Sequence, residues 1–445
     1  MASAPFSWCV RSGESEETSS WYASGRYIRQ RPLCRAKNCL QVNLVPFSKQ
    51  YLRLNEALPF GLRDAPGRLL LAAGSRVNDS DRLDELRNAE LYADEAESSD
   101  WRRRLGGAMD AMLLRNAPLG RIADARPDPN AADDPNSVRG FTLRFGEQWD
   151  ELVLALDGLM REPGADRGWA QRVLVLADRV RALGARRFDD SLYHLIYTAG
   201  HSTDSYTAHH GLLCMLVAQE AARMLRWDED LSRSLAHAAL TMNVSARRLQ
   251  DMLAAHAPTM SPAMRAELDA HPQKSAELLG LAGIADPAWL EIVQLHHDDS
   301  REGQPLDSLS PPQQAARLLR RIDIFTAKLS RRATRVPATP VAAAREACLG
   351  AGGVPDEIGG ALLKSVGLYP PGSFVELTSG ETGIVIGRGR RANLPLVAVL
   401  VAPSGAPMGT PALRDTLDRR HAVKRAVSVD AVKVIPPHER LMMMR

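Results

Sequence analysis

The feature that most constrains the fold is helical periodicity sustained from about Trp149 to Ser365. Trp149, Leu152, Val153, Leu156, Leu159 and Met160 recur at helical spacing. Trp169, Val173, Leu176, Val180 and Leu183 make a second stripe, with Gly184 placed as its stop. Such stripes bury themselves against one another, so this stretch must pack as helices around a shared core. Strand-like alternation resumes in Ser373 to Gly387 and in Leu396 to Val401, with turns at Ser379-Gly380 and Ser404-Gly405.

Upstream, Leu58-Pro-Phe-Gly-Leu and Arg68-Leu-Leu-Leu flank Asp64-Ala-Pro-Gly, which reads as two short strands around a Pro-Gly turn. Ser80 to Leu91 reads as a short helix with Ser80 as its cap. A further helix is expected over 100–120, and the Pro, Asp and Asn of 123–140 read as a linker. Residues 1–40 are polar and aperiodic and are expected to be poorly ordered, as a start codon placed too early would also make them. The expected division is therefore 1–40, a small α+β module at 41–98, a helical region at 99–188, the main helical domain at 189–366, and a β segment with tail at 367–445. The fold class is mainly α, a helical bundle between a small N-terminal α+β module and a short C-terminal β segment.

Net charge is +3, from 56 basic and 53 acidic residues, which argues against a broad surface for a nucleic-acid polymer. No apolar run approaches 18 residues, so no membrane span is expected. The first residues lack the basic-then-apolar order of a signal peptide, and the cytoplasm is the expected compartment. Of the five cysteines only Cys34 and Cys39 are close together, and no second pair completes a zinc site.

The chemistry-bearing residues lie along the helices. His210 is read at the start of a helix whose inner face is Leu213, Cys214, Val217, Ala221 and Met224; continuing that stripe it points inward, as a satisfied core histidine or a ligand. His271, followed by Pro272, is read at the head of a helix. His296 and His297 end the helix that begins at Trp289. Asp323 is a carboxylate among apolar neighbours, which needs a partner if buried. Histidines and carboxylates from several helices are what a metal site that activates water for attack on phosphorus requires.

The order and spacing of these residues resemble the HD-GYP family of the HD phosphohydrolase superfamily, bacterial phosphodiesterases that open cyclic di-GMP. The resemblance spans roughly Asp189 to Gly383. His210-Gly211 is similar to the family's first ligand, His271-Pro272 to its His-Pro, and His296-His297-Asp298 to its His-His-Glu. Asp323, with Phe325 and Ala327, matches its Ala-Asp-x-Phe-x-Ala segment. The Gly-Tyr-Pro signature is reduced to Gly303-Gln-Pro. The stretch from Gly367-Leu-Tyr-Pro-Pro-Gly to Glu381-Thr-Gly is very similar to the family's closing segment. The resemblance implies an HD-type helical bundle and metal ligands at His210, His271, His296, His297 and Asp323. It also implies phosphate-binding cations at Arg332 and Arg335.

The sequence departs from the family where its His-Asp pair belongs. Leu235 to Ala246 reads LAHAALTMNVSA, so His becomes Met242, Asp becomes Asn243, and the following Gly-Lys becomes Ser245-Ala246. Asn243 carries no charge to bridge two cations, and a Met242 thioether suits copper(I) rather than iron, manganese or magnesium. Leu235, Ala238, Ala239 and Met242 share a helical face, so Met242 is read as filling the space of a ligand. The expectation is a degenerate homologue, impaired in hydrolysis, that binds nucleotide or a signalling partner such as a diguanylate cyclase or phosphodiesterase. An alternative is an active phosphodiesterase with one iron, manganese or zinc ion on the five retained residues. A scaffold that binds neither metal nor nucleotide is the third reading.

Overall fold

The computed structural model describes residues 44–114, 118, 120–121, 125, 144–350 and 353–445. The expectations for residues 1–40, and for the linker at 123–140 apart from Ala125, lie outside the described residues. All described residues belong to one unit, Asn43–Arg445.

The N-terminal module has strands β1 (Leu44–Pro46), β2 (Leu62–Arg63), β3 (Leu69–Leu71) and β4 (Tyr92–Asp94), in the antiparallel order β1-β4-β2-β3. The two strands around Asp64 to Gly67 are β2 and β3, joined in register at Leu62 and Leu71. Helix α1 (Ser80–Asn88) is capped by Asp79, whose side chain accepts from the Asp81 amide, so the cap stands one residue before the expected Ser80. Helix α2 (Glu95–Leu114) follows β4 directly. Leu52, Phe60, Leu62 and Leu86 make a core separate from that of the bundle.

The bundle is built from α3 (Phe145–Arg161), α4 (Trp169–Arg186), α5 (Phe188–His201), α6 (Tyr206–Leu225), α7 (Glu229–Thr241), α8 (Arg247–Ala255), α9 (Pro262–Leu281), α10 (Pro287–Leu295), α11 (Pro311–Leu329), α12 (Pro340–Cys348) and α13 (Glu357–Val366). The fold is thus mainly helical, as expected, with a small sheet before the bundle and a second sheet after it. The caps are written in the sequence: Asp228, Ser261, Asp286 and Ser310 accept from first-turn amides of α7, α9, α10 and α11. Trp149, Trp169, Trp289 and Phe325 anchor one continuous core. Gly184 does not end α4. The helix runs through it to Arg186, because a Cβ there would stand 2.7 Å from Leu216 Cδ1 of α6, and the glycine allows that close approach.

The C-terminal strands β5 (Phe374–Leu377), β6 (Thr382–Gly387), β7 (Leu396–Val401), β8 (Pro407–Asp415) and β9 (Val423–Val427) form an antiparallel sheet ordered β8-β7-β6-β5-β9. Tyr193 of α5 packs with Phe374, Ile384 and Ile386 on one face of it. Gly372 has φ of +91°, and a Cβ on it would meet the Tyr193 carbonyl at 2.5 Å. That close approach gives the glycine of the Tyr-Pro-Pro-Gly segment a structural role.

Arg63 ties the module to the bundle. Only 1% exposed, it pairs with Glu97 of α2 at 3.1 Å and with Glu147 of α3 at 2.9 Å. Removing the guanidinium takes the cation from buried Glu97 and leaves Glu147 with Arg144 alone, and breaking such a buried pair costs about 3–5 kcal/mol. Arg63→Met is expected to lower stability by that amount in urea denaturation, and an unchanged midpoint would show that the module is not held by this pair.

Candidate metal centre

Four helices deliver the polar groups. α6 carries His210 in its second turn and Cys214 one turn later, α9 carries His271, α10 ends at His296-His297, and α11 carries Asp323 and Thr326. His210 therefore lies within its helix rather than at its start. His271 is also not at a helix head. Ser261-Pro262 starts α9, and His271-Pro272 sits inside it.

Pro272 explains the orientation of His271. A proline has no N–H to give to the carbonyl four residues back, so the Leu268 carbonyl loses its helical donor. His271 Nδ1–H takes its place, 2.5 Å from the Leu268 oxygen. His296 is the C-cap residue of α10, where the last carbonyls also lack helical partners, and its Nδ1–H donates to the Val293 carbonyl at 2.6 Å. Both neutral rings therefore carry their proton on Nδ1 and a lone pair on Nε2. The two Nε2 atoms face each other at 3.2 Å. Burial depresses the His271 pKa to about 4, and burial followed by His297 pushes His296 well below its ordinary value. Two buried acceptors thus point at one spot, with no proton between them at neutral pH.

His297 completes this trio, its ring centroid 4.2 Å from that of His296 and 5.0 Å from that of His271. It is 44% exposed, so the trio opens to solvent on this side. A second trio adjoins it: His210, Cys214 and Asp323. His210 Nε2 is 2.8 Å from Asp323 Oδ1, while Asp323 Oδ2 lies 4.0 Å from His297 Nε2. Burial opposes charge on His210, but Cys214, Tyr206 and the hydrogen bond to Asp323 outweigh it, and its pKa is raised well above 6.5. Burial likewise opposes charge on Asp323. The bond to His210 prevails and holds the carboxyl well below its usual range. The two form an internal ion pair.

Cys214 and Thr326 were not singled out as site residues in the sequence. Cys214 Sγ lies 3.2 Å from Thr326 Oγ1 and 3.5 Å from His210 Nε2, and Thr326 donates to the Ile322 carbonyl at 2.8 Å. The signal was present: Cys214 follows His210 by four residues and Thr326 follows Asp323 by three, which places each pair on one helical face. His209 joins neither trio; it is buried with no partner on Nε2, and burial lowers its pKa to about 3.

Met242 is wholly buried in the bundle core beside the C-terminus of α7. Asn243 is also buried, and its Oδ1 accepts from Gln250 Nε2 at 2.9 Å. Ser245 donates to the carbonyl of His271 itself at 3.1 Å, so this segment lies against the histidine trio's helix. Arg332 donates to the Tyr206 hydroxyl at 2.7 Å and lies over that ring, which stacks on His210. Arg335 donates to the Ala327 carbonyl, and Nε of each arginine is buried without a partner.

A solved structure is similar. A Bdellovibrio bacteriovorus protein described as an HDG"Y"P protein matches at 14% identity and a TM-score of 0.40, over 72% of this chain and 98% of that one. No family model matches, and neither does any curated protein. Among the described residues, no helix is long and apolar enough to cross a membrane.

In metal-free protein with labelled histidine, nitrogen NMR at pH 7 is expected to find His271 and His296 neutral and His210 doubly protonated. The depressed histidines contribute stability that is full above about pH 6.5 and is lost as pH falls towards 4. A charged His271 at pH 7 would refute the assignment.

Proposed function

We propose that this protein is an HD-GYP-type homologue of reduced chemistry. It holds one divalent cation and acts in signalling by binding a cyclic dinucleotide, with cyclic di-GMP as the first candidate, or a partner such as a diguanylate cyclase or phosphodiesterase. The observation that carries the metal is the pair of Nε2 lone pairs aimed at one point. Two nitrogen ligands about 2.1 Å from a single ion stand about 3.0–3.4 Å apart, and the 3.2 Å between His271 and His296 fits. His271, His296 and His297 would hold the ion with Asp323 adjoining, a donor set suited to zinc, iron or manganese. When bound, such an ion polarises phosphoryl oxygens or activates water.

Hydrolysis by a two-ion route lacks support on this chain. Met242 is core, Asn243 is uncharged and engaged by Gln250, and Asp323 is paired with His210. Arg332 and Arg335 support nucleotide binding, since each keeps a buried donor without a partner, that of Arg332 beside the Tyr206 ring that stacks on His210. A second reading, a phosphodiesterase working with one ion, draws on the exposure of His297, which gives a substrate access to the trio.

Elemental analysis of protein purified without chelators is expected to give about one ion per chain, lost in His296→Ala. Calorimetry should detect cyclic di-GMP binding, weakened about tenfold or more in Arg332→Ala by loss of a charged hydrogen-bond donor, with no appreciable hydrolysis. Two ions per chain with metal-dependent turnover would overturn this reading, and one ion with turnover would establish the second.

A further inference from the structure

The helix that carries His210 does not hold its own first turn. Its N-cap residue, Ser205, is in the left-handed region (φ 43°, ψ 44°) and makes no side-chain cap. The cap comes from α8: Asp251 Oδ1 accepts from both the amide and the hydroxyl of Thr207, each at 2.8 Å. The other oxygen of Asp251 pairs with Arg247 at 3.5 Å, and Arg247 donates to Asp157 of α3 at 2.7 and 3.0 Å. Arg161 joins Asp157 at 3.1 Å and reaches across to Asp79, the cap of α1 in the N-terminal module, also at 3.1 Å. Asp157, Arg161, Arg247 and Asp251 are all at least three-quarters buried, so solvent and salt screen this path less than a surface pair.

A second contact ends at the same place. Arg68, in the β2–β3 connection of the module, donates to Ser202 Oγ at 3.2 Å and pairs with Asp204. Both routes from the module therefore converge on residues 202–207. Tyr206 within that segment stacks on His210 and accepts from Arg332. Asp79, Asp157 and Arg161 also line a cavity of about 570 Å³ between the module and α3–α4, which leaves room for these pairs to rearrange without disturbing the bundle core.

We propose that Arg161 and Asp251 are positioning residues through which the N-terminal module sets the first turn of α6, and with it Tyr206, His210 and Arg332. The module is thereby the control element of the site, a role that rests on the metal and nucleotide reading above only for its consequence. The coupling itself does not need an ion. Breaking the path at Asp251 frees Thr207 from its cap, and breaking it at Arg161 releases the module from Asp157, which anchors Arg247 and through it Asp251, so that the turn that carries Tyr206 frays.

Amide hydrogen exchange on the full, metal-free chain tests this. In Arg161→Met and in Asp251→Leu, which has no acceptor for Thr207, peptides covering residues 204–212 are expected to exchange at least tenfold faster than in the parent. Arg172→Ala, which breaks a pair with Asp166 on the same cavity but off the path, is expected to leave them unchanged. Asp251→Leu keeps the branched shape of the side chain without its oxygens, which guards against a misfolded Arg161 variant. Calorimetry on the same variants is expected to show metal and cyclic di-GMP affinity reduced about tenfold, the lower end of what a ligand-orienting partner contributes. Unchanged exchange at 204–212 in both folded variants overturns the proposal, whatever happens to binding. Faster exchange in a protein whose parent binds neither metal nor nucleotide upholds the coupling and removes the function proposed for the site.

Discussion

Two backbone carbonyls, those of Leu268 and Val293, determine what the centre of this molecule can do. Each is left without a helical donor for a different reason, one by Pro272 and the other by the end of α10. Each is then taken by a histidine Nδ1–H. Turning either ring would strand that N–H and its carbonyl in apolar surroundings, at about 1–3 kcal/mol per group. The rings are therefore fixed in tautomer and direction by the backbone, and the resulting confrontation of lone pairs is a property of the fold.

The two halves of the site are not equivalent. His210 and Asp323 neutralise one another, with Cys214 and Thr326 completing their surroundings, so that half is satisfied as it stands. The His271–His296 pair is not. Met242 and Asn243 immediately precede the Ser245 turn that bonds to α9, and they act in the same direction: one is absorbed into the core and the other is committed to Gln250. A site altered in this way needs no ion at its substituted positions, and on the reading proposed above the His271–His296 pair is the one place that would take an ion. That asymmetry is the physical argument for one metal rather than two or none.

The helices were legible in the sequence because their stripes and their caps are local. Asp228, Asp286 and Ser310 stand directly before the turns they cap. The five ligand-type residues were legible as a series because their spacing matches a known pattern, and the fold brings them together. Other features misled. Pro272 suggested a helix start, since proline favours the first turn, whereas here the freed carbonyl is recovered by a side chain and the helix continues. Gly184 suggested a stop, whereas its lack of a Cβ serves the contact with Leu216. Cys214 was read as core because an apolar stripe does not tell a side chain that packs from one that reaches a polar cluster. Arg63, Arg161 and Asp251 carried no signal at all, since their partners are distant in the chain and an ion pair leaves no periodicity.

That last group decides how the ends of the chain relate to its centre. α7, α9, α10 and α11 each begin with a residue that caps its own first turn. α6 begins with a left-handed serine and relies on Asp251, which is held by an arginine that is held in turn from α3. Helices that cap themselves fix His271, His296, His297 and Asp323 within the bundle. His210 alone sits on a helix whose start depends on partners elsewhere in the chain. Because His210 is also the residue that neutralises Asp323, a shift of the α6 first turn changes how much negative charge Asp323 presents to the neighbouring histidines. On the readings proposed above, the charge that an ion would meet is thus set partly outside the bundle, through pairs with an N-terminal module of separate core.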